Sequence, residues 1–226
     1  MFFDPRYFMY VGPGIRLSLL ASFYVCSTFN KYAKVSTSKR MTGAEVAAAI
    51  LRAAGVQGVR IEPVDGSLTD HYDPSEKVLR LSSQVYGGRS ISAAGVAAHE
   101  VGHAIQHAEG HALMSLRQNL VYPAQHGSSL SMFAIMGGFL LHLSGLIWLG
   151  VLLFSGIVLF QLVTLPVEIG ASSLAKKRLS EAGLADENDL EGVGAVLNAA
   201  ALTYLAAVIT SIMTLLYYIS RARDRN

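Results

Sequence analysis

A single cysteine, Cys26, stands in 226 residues. Intrachain disulfides are thereby excluded, and so is any cysteine-built zinc module. Charge is scarce as well. Asp, Glu, Lys and Arg make up only 15% of the chain, against about a quarter in ordinary soluble domains, while 52% is hydrophobic and the mean hydropathy is +0.40. That balance favours a membrane protein. The formal net charge is only +2, and no basic run is interleaved with aromatics, so nucleic acid is not an expected partner. Internal repeats and low-complexity segments are also missing.

The amino terminus lacks the basic start and small-x-small site of a cleaved signal. It reads instead as a membrane segment from about Tyr7 to Phe29, with Tyr7 and Tyr10 at one interface and Lys31 and Lys34 beyond the other. Arg16 interrupts it and is expected to snorkel or face a neighbouring helix. Between Met132 and Val167 there is no Asp, Glu, Lys or Arg. At about 20 residues per crossing this run holds roughly two spans. Their fold-back is expected at "HLSGLIW", His142–Trp148, with glycines in "MGGF" and "FSGI" allowing close approach. A final span is expected over Val196–Ile219.

The polar part has shorter elements. "TGAEVAAAILRAAGV" reads as a helix capped by Thr42 and stopped at Gly55. "VRIEPV" and "KVLRLS" read as two strands separated by the turn-rich "DGSLTDHYDPSE". "SISAAGVAAHEVGHAIQHAEG" reads as a helix capped by Ser90 or Ser92 and ending near Gly110. The whole divides into an N-terminal membrane segment (1–30), a catalytic region (31–126), a membrane hairpin (127–168), a polar helical segment (169–195), and a last membrane helix with a basic tail (196–226).

The chemistry lies in the last of the shorter elements, the helix of "SISAAGVAAHEVGHAIQHAEG". Histidines recur every fourth position at His99, His103, His107 and His111. Four residues overshoot a helical turn by about 40°. His99 and His103 therefore share a face, whereas His107 and His111 fan away and are expected at the surface or an interface. Glu100 completes H-E-x-x-H, "HEVGH". Two imidazoles and one further ligand leave an open position on zinc for water, and the Glu takes that water's proton during hydrolysis. Gly102 and the preceding "VAA" keep the helix slim, so that substrate and the rest of the site can come close.

A metzincin would carry Gly and His where Gln106 and Glu109 stand, so that class is absent. The third ligand is then a distant carboxylate. Glu168 fits, because a carboxylate at the end of a membrane span needs a reason to be there, and a hairpin returns it to the side where it began. Asp70 and Asp73 are weaker alternatives. His71 or Tyr72 is a candidate to stabilise an oxyanion, with an extended substrate pairing along the free edge of "KVLRLS". Asp73 before Pro74 reads more simply as an Asx turn.

Taken together, "STFNKYAKV", "LTDHYDP", "VLRLS", "VAAHEVGHAIQ" and "LPVE…AS" resemble the YugP-type membrane zinc metallopeptidases of bacteria, over nearly the whole chain. The layout is also similar to that of HtpX-type membrane proteases. The resemblance implies a mainly α, multi-pass membrane protein with about four transmembrane helices and a small α+β zincin-like domain. It further implies one Zn2+ held by His99, His103 and Glu168, with Glu100 catalytic. The family pattern L-P-V-E-F-D-A-S is broken by Ile169 and Gly170, which would weaken the support of a ligand if the family Asp orients one.

The expected function is hydrolysis of membrane-associated or misfolded proteins at a bacterial inner membrane, with the bilayer and a protein or peptide substrate as partners. A homo-oligomer or a membrane protein partner is compatible with this. Rival readings are a non-catalytic zinc-binding partner of a protease complex, against which Glu100 speaks, and a zinc amidohydrolase. Lys31, Lys34, Lys39 and Arg40 put the catalytic region on the cytoplasmic side, while four spans would put the arginines of "SRARDRN" outside, against the same rule.

Overall fold

The computed structural model describes residues 4–224; Met1–Phe3 of the N-terminal segment and Arg225 and Asn226 of the basic tail lie outside them. The chain is mainly helical. In order it runs α1 (Pro5–Tyr32), α2 (Gly43–Ala53), β1 (Arg60–Val64), β2 (His71–Asp73), β3 (Val78–Ser82), α3 (Ser83–Tyr86), α4 (Ile91–Ala108), α5 (Ala112–Leu141), α6 (Ser144–Glu181) and α7 (Glu187–Arg223). It forms two compact units. One holds the chain up to Ser22, Ser115–Pro166 and everything from Leu202. The other holds Phe23–Met114 and Val167–Ala201.

The first unit is built from parts of α1, α5, α6 and α7. α5 and α6 turn back on each other at His142 and Leu143, with His142 in the left-handed region (φ 57°), where the fold-back was expected. Close approach depends partly on other glycines than expected. A Cβ on Gly138 would lie 2.8 Å from the Ile147 nitrogen, and one on Gly150 3.0 Å from the Ile135 nitrogen, whereas Gly156 faces open space. Near the chain ends, Tyr217 donates to Asp4 (3.0 Å), and Arg6 pairs with Asp224.

Among the described residues three helices, not four, are long and apolar enough to cross a membrane: α1, α6 and α7. The charge-free run does contain a helix hairpin, but its first leg is apolar only from Met132 to Leu141. That is about ten residues, or ~15 Å of helix, half of a hydrocarbon core. The preceding turns of α5 carry Gln125, His126, Ser128, Ser129 and Ser131. Nor does α6 end at Glu168. It continues unbroken to Glu181, and α7 likewise begins at Glu187, ahead of its apolar stretch. Arg16 is exposed on α1.

The second unit contains a three-stranded mixed sheet in the order β1-β3-β2, with β1 parallel and β2 antiparallel to β3. β3 is therefore central, and four of its five residues are buried. This corrects the expectation of a free edge on "KVLRLS". The edges of the sheet belong to β1 and to β2, a strand concealed in the turn-rich stretch. Only three residues form it before Asp73 turns the chain by accepting from the backbone N–H groups of Ser75 and Glu76. α2 starts with a capping box between Thr42 and Glu45, and Gly55 past its end has φ 69°. α4 starts at the Ser90 cap, and Gly110 beyond its end has φ 66°.

α4 is buried along most of its length against Val46, Leu79, Leu81 and Val85 on one side and Val167, Ala175 and Val193 on another. Gly102 marks the tightest approach: a Cβ there would lie 2.6 Å from the carbonyl oxygen of Ala171 in α6. The slimness of α4 at this point admits a helix backbone. Gly102→Ala is expected to lower stability by about 1–3 kcal/mol, because backbone rather than a flexible side chain would have to move. At Gly95 the nearest atom to an added Cβ is Val193 Cγ1 at 3.4 Å, an ordinary contact. Gly95→Ala should be neutral or stabilising through helix propensity. Thermal unfolding of the two detergent-solubilised variants checks both.

Candidate metal centre

His99 and His103 lie one turn apart on α4, their rings edge to face at 4.8 Å between centroids. Across the Gly102 contact, α6 presents Glu168. Its Oε2 is 3.2 Å from His99 Nε2 and 3.4 Å from His103 Nε2. These three side chains form the group among the described residues whose ligand atoms all lie within 4.8 Å of one another. Glu168 is 1% exposed and His103 5%. Each histidine turns its other nitrogen to a separate partner. His99 Nδ1 meets Ser172 Oγ at 3.1 Å, and His103 Nδ1 meets Gln106 Oε1 at 3.1 Å. Gln106 Nε2 in turn donates to the Val167 carbonyl at 2.9 Å. Two imidazole nitrogens and one carboxylate oxygen converging at one buried point are a donor set suited to zinc.

Ser172 and Gln106 were not singled out from the sequence as supports of the ligands. Their signal was spacing. Gln106 follows His103 by three residues and lies on the face of the ligand it serves, while Ser172 follows Glu168 by one helical turn and so faces α4, where it meets His99.

Glu100 is buried beside the group. Burial pushes its carboxyl up to about 7, with the charges of Glu168 and Asp70 acting in the same direction. His99 and the backbone N–H of Tyr72, which is hydrogen-bonded to Glu100, act against the rise. Asp70 is not among the clustered ligands. It accepts from the Ser82 backbone N–H (2.7 Å) and hydroxyl (3.1 Å), and burial raises its pKa. Asp73 closes its turn as an Asx residue and pairs with Arg80; the Ser75 hydroxyl bond is foremost in pulling it down to about 2.

Tyr72 and His71 go to opposite faces of β2, as successive strand residues must. Tyr72 is buried in the core that includes α4, and its hydroxyl is 2.9 Å from His107 Nδ1. His71 is exposed, with Nδ1 2.8 Å from the Thr69 carbonyl, and is not brought to the histidine–glutamate group. His107 has rotated off the metal face as expected, but it is half-buried against Tyr72 and not simply at the surface. His111 lies past the end of α4 and is exposed.

The histidine–histidine–carboxylate group on two helices is a candidate metal site, in a chain with three helices long and apolar enough to cross a membrane. The chain matches, over residues 7–223, the family described as "Putative neutral zinc metallopeptidase". It is also 48% identical, over 213 residues, to the protein of Bacillus subtilis (strain 168) named "Putative membrane protease YugP", covering 93% of this chain and 95% of that one. No solved structure matches. The chain belongs to this zinc metallopeptidase family.

The elevated Glu100 value carries a pH signature in metal-free protein. The folded value lies above that of an unfolded glutamate, about 4.3, so folding favours the protonated form. The contribution of Glu100 to stability is then fully present below about pH 4 and is lost as pH rises through 7, about 3 kcal/mol in all. Glu100→Gln should remove this slope. The variant is expected to be more stable than wild type at pH 8 and no more stable at pH 4, as read from unfolding midpoints in chelator.

Proposed function

We propose that the chain is a membrane-embedded zinc endopeptidase in which His99, His103 and Glu168 hold one zinc ion and Glu100 carries the proton. The observation behind this reading is the convergence of the two Nε2 atoms on Glu168 Oε2, with the buried Glu100 next in sequence to His99. Zinc bound there would supply a Lewis acid for a peptide carbonyl and an acidified water at the position the three ligands leave open.

The rest is done by the chain. Glu100, with a carboxyl poised near 7, takes a proton from the attacking water and gives it to the leaving amine. The Tyr72 backbone N–H holds the carboxylate in place. The Tyr72 hydroxyl, positioned by His107, is the candidate donor to the oxyanion, and His71 on the opposite strand face has no part in it. An extended peptide would run along the outer edge of β2. Substrates are membrane-associated or misfolded proteins, cut on the cytoplasmic side of a bacterial cell membrane. The basic cluster Lys31, Lys34, Lys39 and Arg40 just after α1 supports that side.

Metal analysis and a peptidase assay on detergent-purified protein test this reading. Glu168→Gln is expected to lower zinc affinity and activity together. Glu100→Gln should keep zinc at wild-type occupancy while activity falls about 10²–10⁴-fold. A fully active Glu100→Gln protein would sink the assignment. For topology, a reporter fused after Lys39 should read as cytoplasmic, and periplasmic or external activity would reverse the side.

A further inference from the structure

Gln106 is 2% exposed and bridges the two helices of the candidate centre. Its two ends are not interchangeable. The Val167 carbonyl can only accept, so the Gln106 nitrogen must face it, which leaves Oε1 toward His103. An amide oxygen can only accept, so His103 Nδ1 must carry the hydrogen. Nε2 is thereby left as the nitrogen that faces the cluster and Glu168 Oε2 (3.4 Å), the one available to a metal. His99 has no such constraint from Ser172, because a hydroxyl either donates or accepts.

Gly170 bears on the same bridge. A Cβ at this position would lie 2.9 Å from Gln106 Nε2, which is the movable end of a flexible side chain. Any side chain at 170 therefore displaces the carboxamide at little cost to the fold. This is the position at which the chain departs from the Asp of the family pattern it resembles.

We propose that Gln106 is the positioning residue that sets the tautomer of His103 for metal binding, and that Gly170 is the space its bridging orientation requires. A side chain at 170 would crowd the Gln106 carboxamide and shift its bridging end. The metal-binding part rests on the zinc reading above; the tautomer part does not.

The test uses the full-length protein in detergent, metal-free and during cobalt titration. Nitrogen-15 histidine spectra of metal-free wild type should show a protonated Nδ1 in the resonance that His103→Ala abolishes. Gln106→Leu and Gly170→Ala should both move that resonance toward a tautomer mixture. Gln106→Glu, which keeps an acceptor for Nδ1–H, should restore it. Cobalt affinity should fall about 10–100-fold in Gln106→Leu, fall less in Gly170→Ala, and be retained in Gln106→Glu. Gly170→Ala should unfold at the wild-type temperature, which separates positioning from structure; should Gln106→Leu fail to fold, Gly170→Ala decides. An unchanged His103 resonance together with wild-type cobalt affinity in Gly170→Ala overturns the proposal. If wild type takes up no cobalt, the zinc reading has failed, and the histidine spectra alone decide the role of Gln106.

Discussion

The contact on which the rest depends is the approach of the α4 and α6 backbones at Gly102 and Ala171. An alanine Cβ in place of the Gly102 hydrogen would press on a carbonyl oxygen, which cannot rotate away. With the hydrogen, the helices meet closely enough that the side chains nearly one turn before and immediately after the contact touch across the gap. His99 and His103 flank Gly102 on α4; Glu168 and Ser172 flank Ala171 on α6. Each helix contributes a pair four residues apart, and the two pairs interlock.

Electrostatics makes this arrangement consequential. Glu168 and Glu100 are both buried, and Asp70 is near enough to raise Glu100 further. Three carboxylates in one region oppose compactness unless positive charge is supplied, and taking charged groups out of water is costly without partners. A divalent cation held by the histidine–glutamate group would supply it. The same repulsion and burial that tax the metal-free fold place Glu100 near neutrality, where a group can both accept and release a proton. The stability penalty and the chemical competence have one source.

The sheet shows how topology redistributes roles. Because β3 pairs on both sides, the sheet's edges are β1 and the three-residue β2, and it is β2 whose Tyr72 points its N–H toward Glu100. Edge, base and the Tyr72–His107 pair are thus adjoined by a strand too short to announce itself by alternation.

Much was legible from local periodicity. The caps at Thr42 and Ser90, the stops at Gly55 and Gly110, the α4 face carrying His99 and His103, and the turn near His142 are all decided within one or two helical turns, where side-chain spacing and glycine freedom act directly. Glu168 could be suspected because a carboxylate beside a long apolar run needs a reason. What lay beyond the sequence was whatever depends on which element packs where. Tertiary packing decided that α6 runs through Glu168 to Glu181 and that β3 is central. It also put His71 on the far face while Tyr72 meets His107, and it brought Gln106 to a carbonyl 61 residues away. Local pattern specifies the faces of an element; only the close approach of two backbones, permitted at Gly102 by an absent side chain, specifies what each face meets.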